Sequence, residues 1–161
     1  MKRALAVLLL TLAASAQAAD NTSLAGTWTL IAADEIRPDG TIVQPYGAEP
    51  KGLLIIDADG RYSLQIFRAD RPKFASRDKR KGTPQEYEAA VLGMSSHIGR
   101  CSIEPQSSTL TFRIEWASYP NWDGTEQKRR YRLSGDVLSY EIPASATGDG
   151  TIPRSTWRRL R

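Results

Sequence analysis

The strongest constraint in this chain is a matched pair of signals at its two ends. Gly26-Thr27-Trp28 opens one alternating stretch, and Ser155-Thr156-Trp157-Arg158-Arg159 closes another. Short alternating runs separated by turn residues fill the space between them. A first strand with Gly-x-Trp and a last strand with arginine suit a sheet that closes on itself. The indole would plug one end of the barrel. An arginine from the closing strand would lie across the ring, a cation–π contact worth about 0.5–2 kcal/mol. Alternation lets only one of Arg158 and Arg159 share the face of Trp28. Arg159 is favoured, because it shares a face with Trp157. Closure removes the sheet's edges and implies an interior.

The first 18 residues read as a segment apart from the fold. Lys2 and Arg3 give a positive start, residues 4–14 are apolar except for Thr11, and Ala16-Gln17-Ala18 fits a small-x-small cleavage site. That is the pattern of a secretory signal peptide cleaved after Ala18, and it predicts a periplasmic or secreted protein. The run is too short to span a bilayer comfortably, and no later stretch approaches spanning length. Residues 19–161 then form a single domain. Without Lys2 and Arg3 the formal charge falls from +4 to +2, a nearly balanced surface. Cys101 is the only cysteine, so no disulfide can form within the chain. Its place in an alternating run predicts burial in the sheet.

The order of elements follows from turns and periodicity. Residues 24–33 alternate and precede the turn Arg37-Pro38-Asp39-Gly40. Residues 43–50, with two prolines, read as an irregular crossing segment. Two β-runs, 51–57 and 61–68, meet across Asp59-Gly60, a strong hairpin signal. Thr83-Pro84-Gln85-Glu86 is a capping box with proline at the first helical position, predicting a helix over 84–92 ended by Gly93. A helix so short must lean on the barrel or cover its mouth. Five more strands follow, at 95–103, 109–118, 126–133, 137–142 and 152–160. The expected fold is all-β: an eight-stranded antiparallel up-and-down barrel with one short helix after the third strand.

Several stretches together resemble one family. They are Leu24-Ala25-Gly26-Thr27-Trp28, Gln44-Pro45-Tyr46-Gly47, Lys51-Gly52-Leu53-Leu54, Asp59-Gly60-Arg61-Tyr62-Ser63, Arg71-Pro72-Lys73-Phe74, Tyr119-Pro120-Asn121-Trp122 and Gly124-Thr125-Glu126-Gln127. In this order they resemble the small lipocalin-like domain family of bacterial and fungal proteins. The resemblance spans nearly all of residues 19–161. It implies a lipocalin-type, calycin-like barrel and carries little about chemistry.

An interior is where a ligand would sit. In 61–68 one face holds Tyr62, Leu64, Ile66 and Arg68, and the other Ser63, Gln65 and Phe67. In 109–118, Leu110, Phe112, Ile114 and Trp116 share a face opposite Arg113 and Glu115. Alternation separates the faces without saying which points inward. His97, the only histidine, suits a general acid or base, or equally a strand histidine bonded to a neighbour. It has no companions for a metal or haem. Tyr119 and Trp122 sit at a strand end, where amphipathic aromatics suit small-molecule recognition or pack as a plug. Gln127 and Arg129 could pair with a ligand or form an exposed ladder. Tyr46, Tyr62, Gln65 and Arg68 complete the ligand-binding candidates, and Gly26, Trp28, Arg158 and Arg159 are the closure residues.

The basic stretch 68–81 reads as a solvated loop, or as a mobile lid for an anionic ligand or lipid headgroup. Export and the balanced charge argue against nucleic acid. No catalytic triad, phosphate loop or zinc spacing occurs, so no cofactor or metal is expected. The leading reading is a monomeric or dimeric binding protein for a small hydrophobic or amphipathic molecule. An alternative is an isomerase, cyclase or lyase pairing His97 with Glu115 or Tyr119. A third is a plugged barrel acting through its surface.

Overall fold

Alternation does close the sheet. A computed structural model describes residues 24–161, so the predicted leader, residues 1–18, lies outside the described residues. Strand β1 spans Gly26–Ile36, β2 Ile42–Val43, β3 Lys51–Ile56 and β4 Arg61–Phe67. Helix α1 spans Pro84–Leu92. After it come β5 Met94–Glu104, β6 Thr109–Ala117, β7 Glu126–Ser134, β8 Val137–Glu141 and β9 Ile152–Arg159. From β3 to β9 each strand pairs antiparallel with the next, β1 pairs with β3, and β9 returns to β1. Eight strands thus form a closed up-and-down barrel. The two-residue β2 only extends the far end of β1, where the Arg37–Thr41 turn sets Ile42 opposite Ile36. The segment expected to be irregular throughout therefore begins with a short pairing.

One end of the barrel is filled. Trp28, Leu54, Ile56, Leu110, Phe112, Leu138 and Trp157 are all buried there. Trp28 lies opposite Arg159 in the β1–β9 register, and the Arg159 guanidinium carbon stands 4.0 Å from the centroid of its ring. Arg158, one residue earlier, is exposed. Gly26 has no alternative here. Its φ of +134° lies where side chains rarely go, and a Cβ would stand 2.9 Å from Arg159 Nη1.

Two bulges correct simple alternation. In β1 the register slips between Leu30 and Ala32, which lets Ala33 rather than Ala32 point in. In β6 it slips where Ile98 faces Trp116 and Gly99 faces Ile114, so Glu115 is the extra residue. Leu110, Phe112 and Ile114 point inward, but the expectation that Trp116 shares their face fails: it is 67% exposed. Gly99 permits the bulge, since a Cβ there would sit 2.1 Å from the Arg113 carbonyl oxygen.

Helix α1 has its predicted capping box, with the Thr83 hydroxyl accepting from Glu86 N–H and Glu86 accepting from Thr83 N–H. None of its residues is fully buried. It is held mainly by the basic loop before it. Ala75 N–H donates to Glu86, Gly82 N–H donates to the Tyr87 hydroxyl, and Phe74 meets Tyr87 edge to face. Within that loop Arg71, Lys73, Arg77, Lys79, Arg80 and Lys81 are all exposed.

Candidate functional site: a polar cavity opposite the plugged end

The inward residues change character along the barrel axis. Near Trp28 they are apolar and close-packed. Toward the far end of β1 and the first halves of β5, β7 and β9 they include His97, Arg129, Tyr140 and Ser155, and the Tyr62 hydroxyl, from the start of β4, meets His97. The registers bring these together: Leu64 faces His97, Ile66 faces Ser95, and Ser155 lies between Ala33 and Tyr140. The interior is not filled at this level. A cavity of about 210 Å³ opens there, lined among others by Tyr46, Leu64, His97, Trp122, Arg129 and Tyr140. It sits at the end of the barrel away from Trp28, because Glu35 and Pro153, paired in register, line it too.

His97 is 3% exposed, and its Nδ1 lies 2.8 Å from the Tyr62 hydroxyl. Edge-to-face contacts with Tyr62, Phe112 and Trp122 enclose the imidazole. Burial, helped by the nearby Arg129 charge, lowers the His97 pKa to about 3. At neutral pH the ring is uncharged. Burial also drives the Tyr62 phenol well above its ordinary range, so both partners of this hydrogen bond are neutral.

Arg129 is the unusual group. It is 6% exposed on β7, among residues that are otherwise apolar or aromatic. Its Nη2 donates to Gln127 Oε1 at 2.6 Å. The guanidinium carbon lies 5.4 Å from the centroid of the Phe112 ring and 5.5 Å from that of Tyr140. Nε is sealed from solvent without a hydrogen-bond acceptor. Among the described residues no carboxylate forms an ion pair with it. Burial accordingly lowers its pKa. The hydroxyl of Tyr140 is likewise buried, with the Trp157 and Ser155 side chains as its polar neighbours, and burial raises it to about 12.

Other predicted residues fall into three places. Tyr46 and Trp122 line the cavity, and burial raises the Tyr46 phenol while Ser95 bonds to it. Gln127 lines an open groove of about 730 Å³ that shares Glu35, Trp122, Ile142 and Pro153 with the cavity. Tyr119 is 51% exposed and touches Trp122 edge to face. Gln65 bonds to Ser63 on the outward face of β4, and Arg68 lies past the rim, paired with Asp70. Glu115 is exposed and paired with Arg61 at 3.4 Å, so the structure does not bring it to His97. The phenol that meets His97 is Tyr62, not Tyr119. Cys101 is buried as expected, and burial raises its thiol to about 11. Among the described residues no His, Cys, Asp and Glu side chains cluster as a metal site would require.

Tyr140 was legible but not read as a site residue. It shares a face with Leu138 on β8, so the two could be grouped from the pattern, and closure turns that face inward. Ala33 was hidden by the bulge in β1.

A 4'-hydroxy-3'-methoxypropiophenone carrier protein of Aspergillus oryzae is 30% identical over 106 residues, which is 61% of this chain and 96% of that protein. A lipocalin-like protein of Bacteroides uniformis, 16% identical, aligns over 85% of this chain and 98% of its own with a TM-score of 0.46. A protein of Bacteroides eggerthii, 13% identical, aligns over 84% and 98% with a TM-score of 0.40. The sequence profile of the lipocalin-like domain matches residues 25–160, nearly all of the described barrel, and the chain belongs to that family.

Proposed function

We propose that this protein binds a small amphipathic aromatic molecule inside the barrel. The observation that carries the reading is the cavity of about 210 Å³, whose wall combines aromatic rings with buried polar groups, among them Arg129, whose Nε has no acceptor. Burying such a donor unpaired costs about 1–3 kcal/mol. A ligand oxygen that reached it would recover part of that cost, and the aromatic walls would recover more by burying its ring. The relative from Aspergillus oryzae is named as the carrier of a phenolic aryl ketone, a ligand of this chemistry. Residues 1–18 we read as a leader, which would place binding outside the cytoplasm. Protein sequencing of the mature N-terminus tests that part.

The site favours carriage over catalysis. Proton transfer by His97 near pH 7 works best with a pKa near 7. Held at about 3, the imidazole is a weak base. Its partner Tyr62 is held firmly protonated.

Calorimetric titration with 4'-hydroxy-3'-methoxypropiophenone tests the proposal. Binding at one site per chain, lost when Ala33→Phe fills the cavity, is expected. Equal binding by parent and filled variant would place the ligand elsewhere. Turnover of the ketone at a rate that falls on His97→Asn would restore the enzyme reading.

A further inference from the structure

We infer that the ligand of this cavity carries an oxyanion, and that Arg129 is the residue that selects it. The inference rests on the binding role proposed above and adds the charge of the bound group. The Arg129 side chain is 6% exposed and lines the cavity. A buried cation is ordinarily matched by a carboxylate, because leaving a charge unpaired away from water is costly. Here the neighbours supply no negative charge. Gln127 offers a neutral carbonyl oxygen, and Phe112 and Tyr140 offer ring faces.

The ionisable groups around the guanidinium supply it with no ion pair. Tyr62 and Tyr140 are held protonated by burial, and His97 is held neutral. Asp34, which also lines the cavity, is engaged with Arg154 at 3.5 Å, and Arg154 also pairs with Glu141. Glu35 lies at the rim, shared between the cavity and the open groove. Arg129 therefore has no ion-pair partner, its Nε has no acceptor, and the carboxylates that share the cavity wall with it are engaged with Arg154 or stand at the rim. A planar guanidinium with an unsatisfied N–H fits a carboxylate, or the phenolate of an acidic phenol. A neutral amide or ether would leave the charge unmatched.

The test uses two pairs of probes, each pairing an ionisable member with a neutral analogue. Cinnamate is compared with cinnamamide, and 4-hydroxyacetophenone with 4-methoxyacetophenone, by calorimetry on the parent protein at pH 8. In at least one pair the ionisable member should bind at least tenfold tighter. The first pair reports a carboxylate site and the second a phenolate site. In the second pair the bound phenol should also show the red-shifted absorption of its anion. Arg129→Gln and Arg129→Met should erase the preference. The comparison on the parent stands even if a variant fails to fold. Equal or tighter binding of the neutral member in both pairs overturns the inference and leaves the cavity's binding role intact. If no member of either pair binds, the binding role falls, and the inference falls with it.

Discussion

Arg159 ties the first strand to the last at Trp28. Its guanidinium carbon lies 4.0 Å from the centroid of the indole, and Nη1 donates to the Ala25 carbonyl oxygen at 2.6 Å. The indole N–H of Trp28 in turn donates to the Leu24 carbonyl oxygen at 3.0 Å. One side chain from each closing strand thus fastens the start of β1. Trp28→Ala should destabilise the protein by about 3–5 kcal/mol, the cost of emptying a large buried aromatic site. Arg159→Ala should cost about 1–2 kcal/mol, since the ring contact and its hydrogen bond are lost without opening the core. Denaturant melts of both variants check the order. Equal midpoints for Trp28→Ala and the parent would contradict the closure account.

The bulge at Glu115 yields a contrast between two tryptophans. Trp116 is 67% exposed, whereas Trp157 is fully buried. Trp116→Ser should change stability by no more than about 0.5 kcal/mol. Trp157→Ala should cost about 3–5 kcal/mol. Iodide should quench the emission removed by Trp116→Ser and spare that of the remaining tryptophans by comparison. A large stability loss on Trp116→Ser would show that β6 alternates without interruption.

His97 makes stability depend on pH. Its folded pKa of about 3 lies below the 6.5 of an unstrained histidine, so between these values the unfolded chain binds the extra proton. Stability therefore falls as pH drops from about 6.5 toward 3, by at most about 1.4 kcal/mol per pH unit from this group. Between pH 7 and 5 the parent should lose about 2 kcal/mol that His97→Gln does not lose. Urea titrations at the two pH values read the difference. Equal slopes in parent and variant would mean that the folded protein protonates His97 as readily as the unfolded chain.

Cys101 should be inert in the folded state. It is buried, and its thiol is raised to about 11. An aromatic disulfide reagent should react with it only in denaturant, liberating one equivalent per chain. Fast reaction of the native protein would place Cys101 outside the barrel wall.

Arg129→Met should leave the unliganded protein as stable as the parent or more so, by up to about 2 kcal/mol, because an unmatched charge is removed from a dry site. Thermal melts without ligand measure this. A large loss would mean that the contacts of Arg129 with Phe112, Tyr140 and Gln127 outweigh its burial cost.

The sequence shows the barrel more clearly than the site, for a physical reason. Turn chemistry and period-two alternation are local, so Asp59-Gly60, the capping box at Thr83 and the alternation of Tyr62, Leu64 and Ile66 mark their elements directly. Which face points inward is a property of closure. Only the assembled sheet puts Tyr62 inside and Gln65 outside. A bulge reverses the faces beyond it, which is why Trp116 and Ala33 could not be placed by counting. Arg129 reads in sequence as one of several cationic residues on β7. Its alternation with exposed Lys128 and Arg130 was visible, but its burial depends on Phe112 and Tyr140, which other strands supply.

The central claim is that the polar end of the interior is a ligand site. A crystal structure of the protein soaked with the tightest-binding aromatic probe tests it most directly. The account predicts the probe inside the cavity, its ring against Trp122 and an oxygen within hydrogen-bond distance of Arg129 or the Tyr140 hydroxyl. A probe seated only in the open groove along Thr125–Lys128, with the interior cavity unchanged, would contradict it.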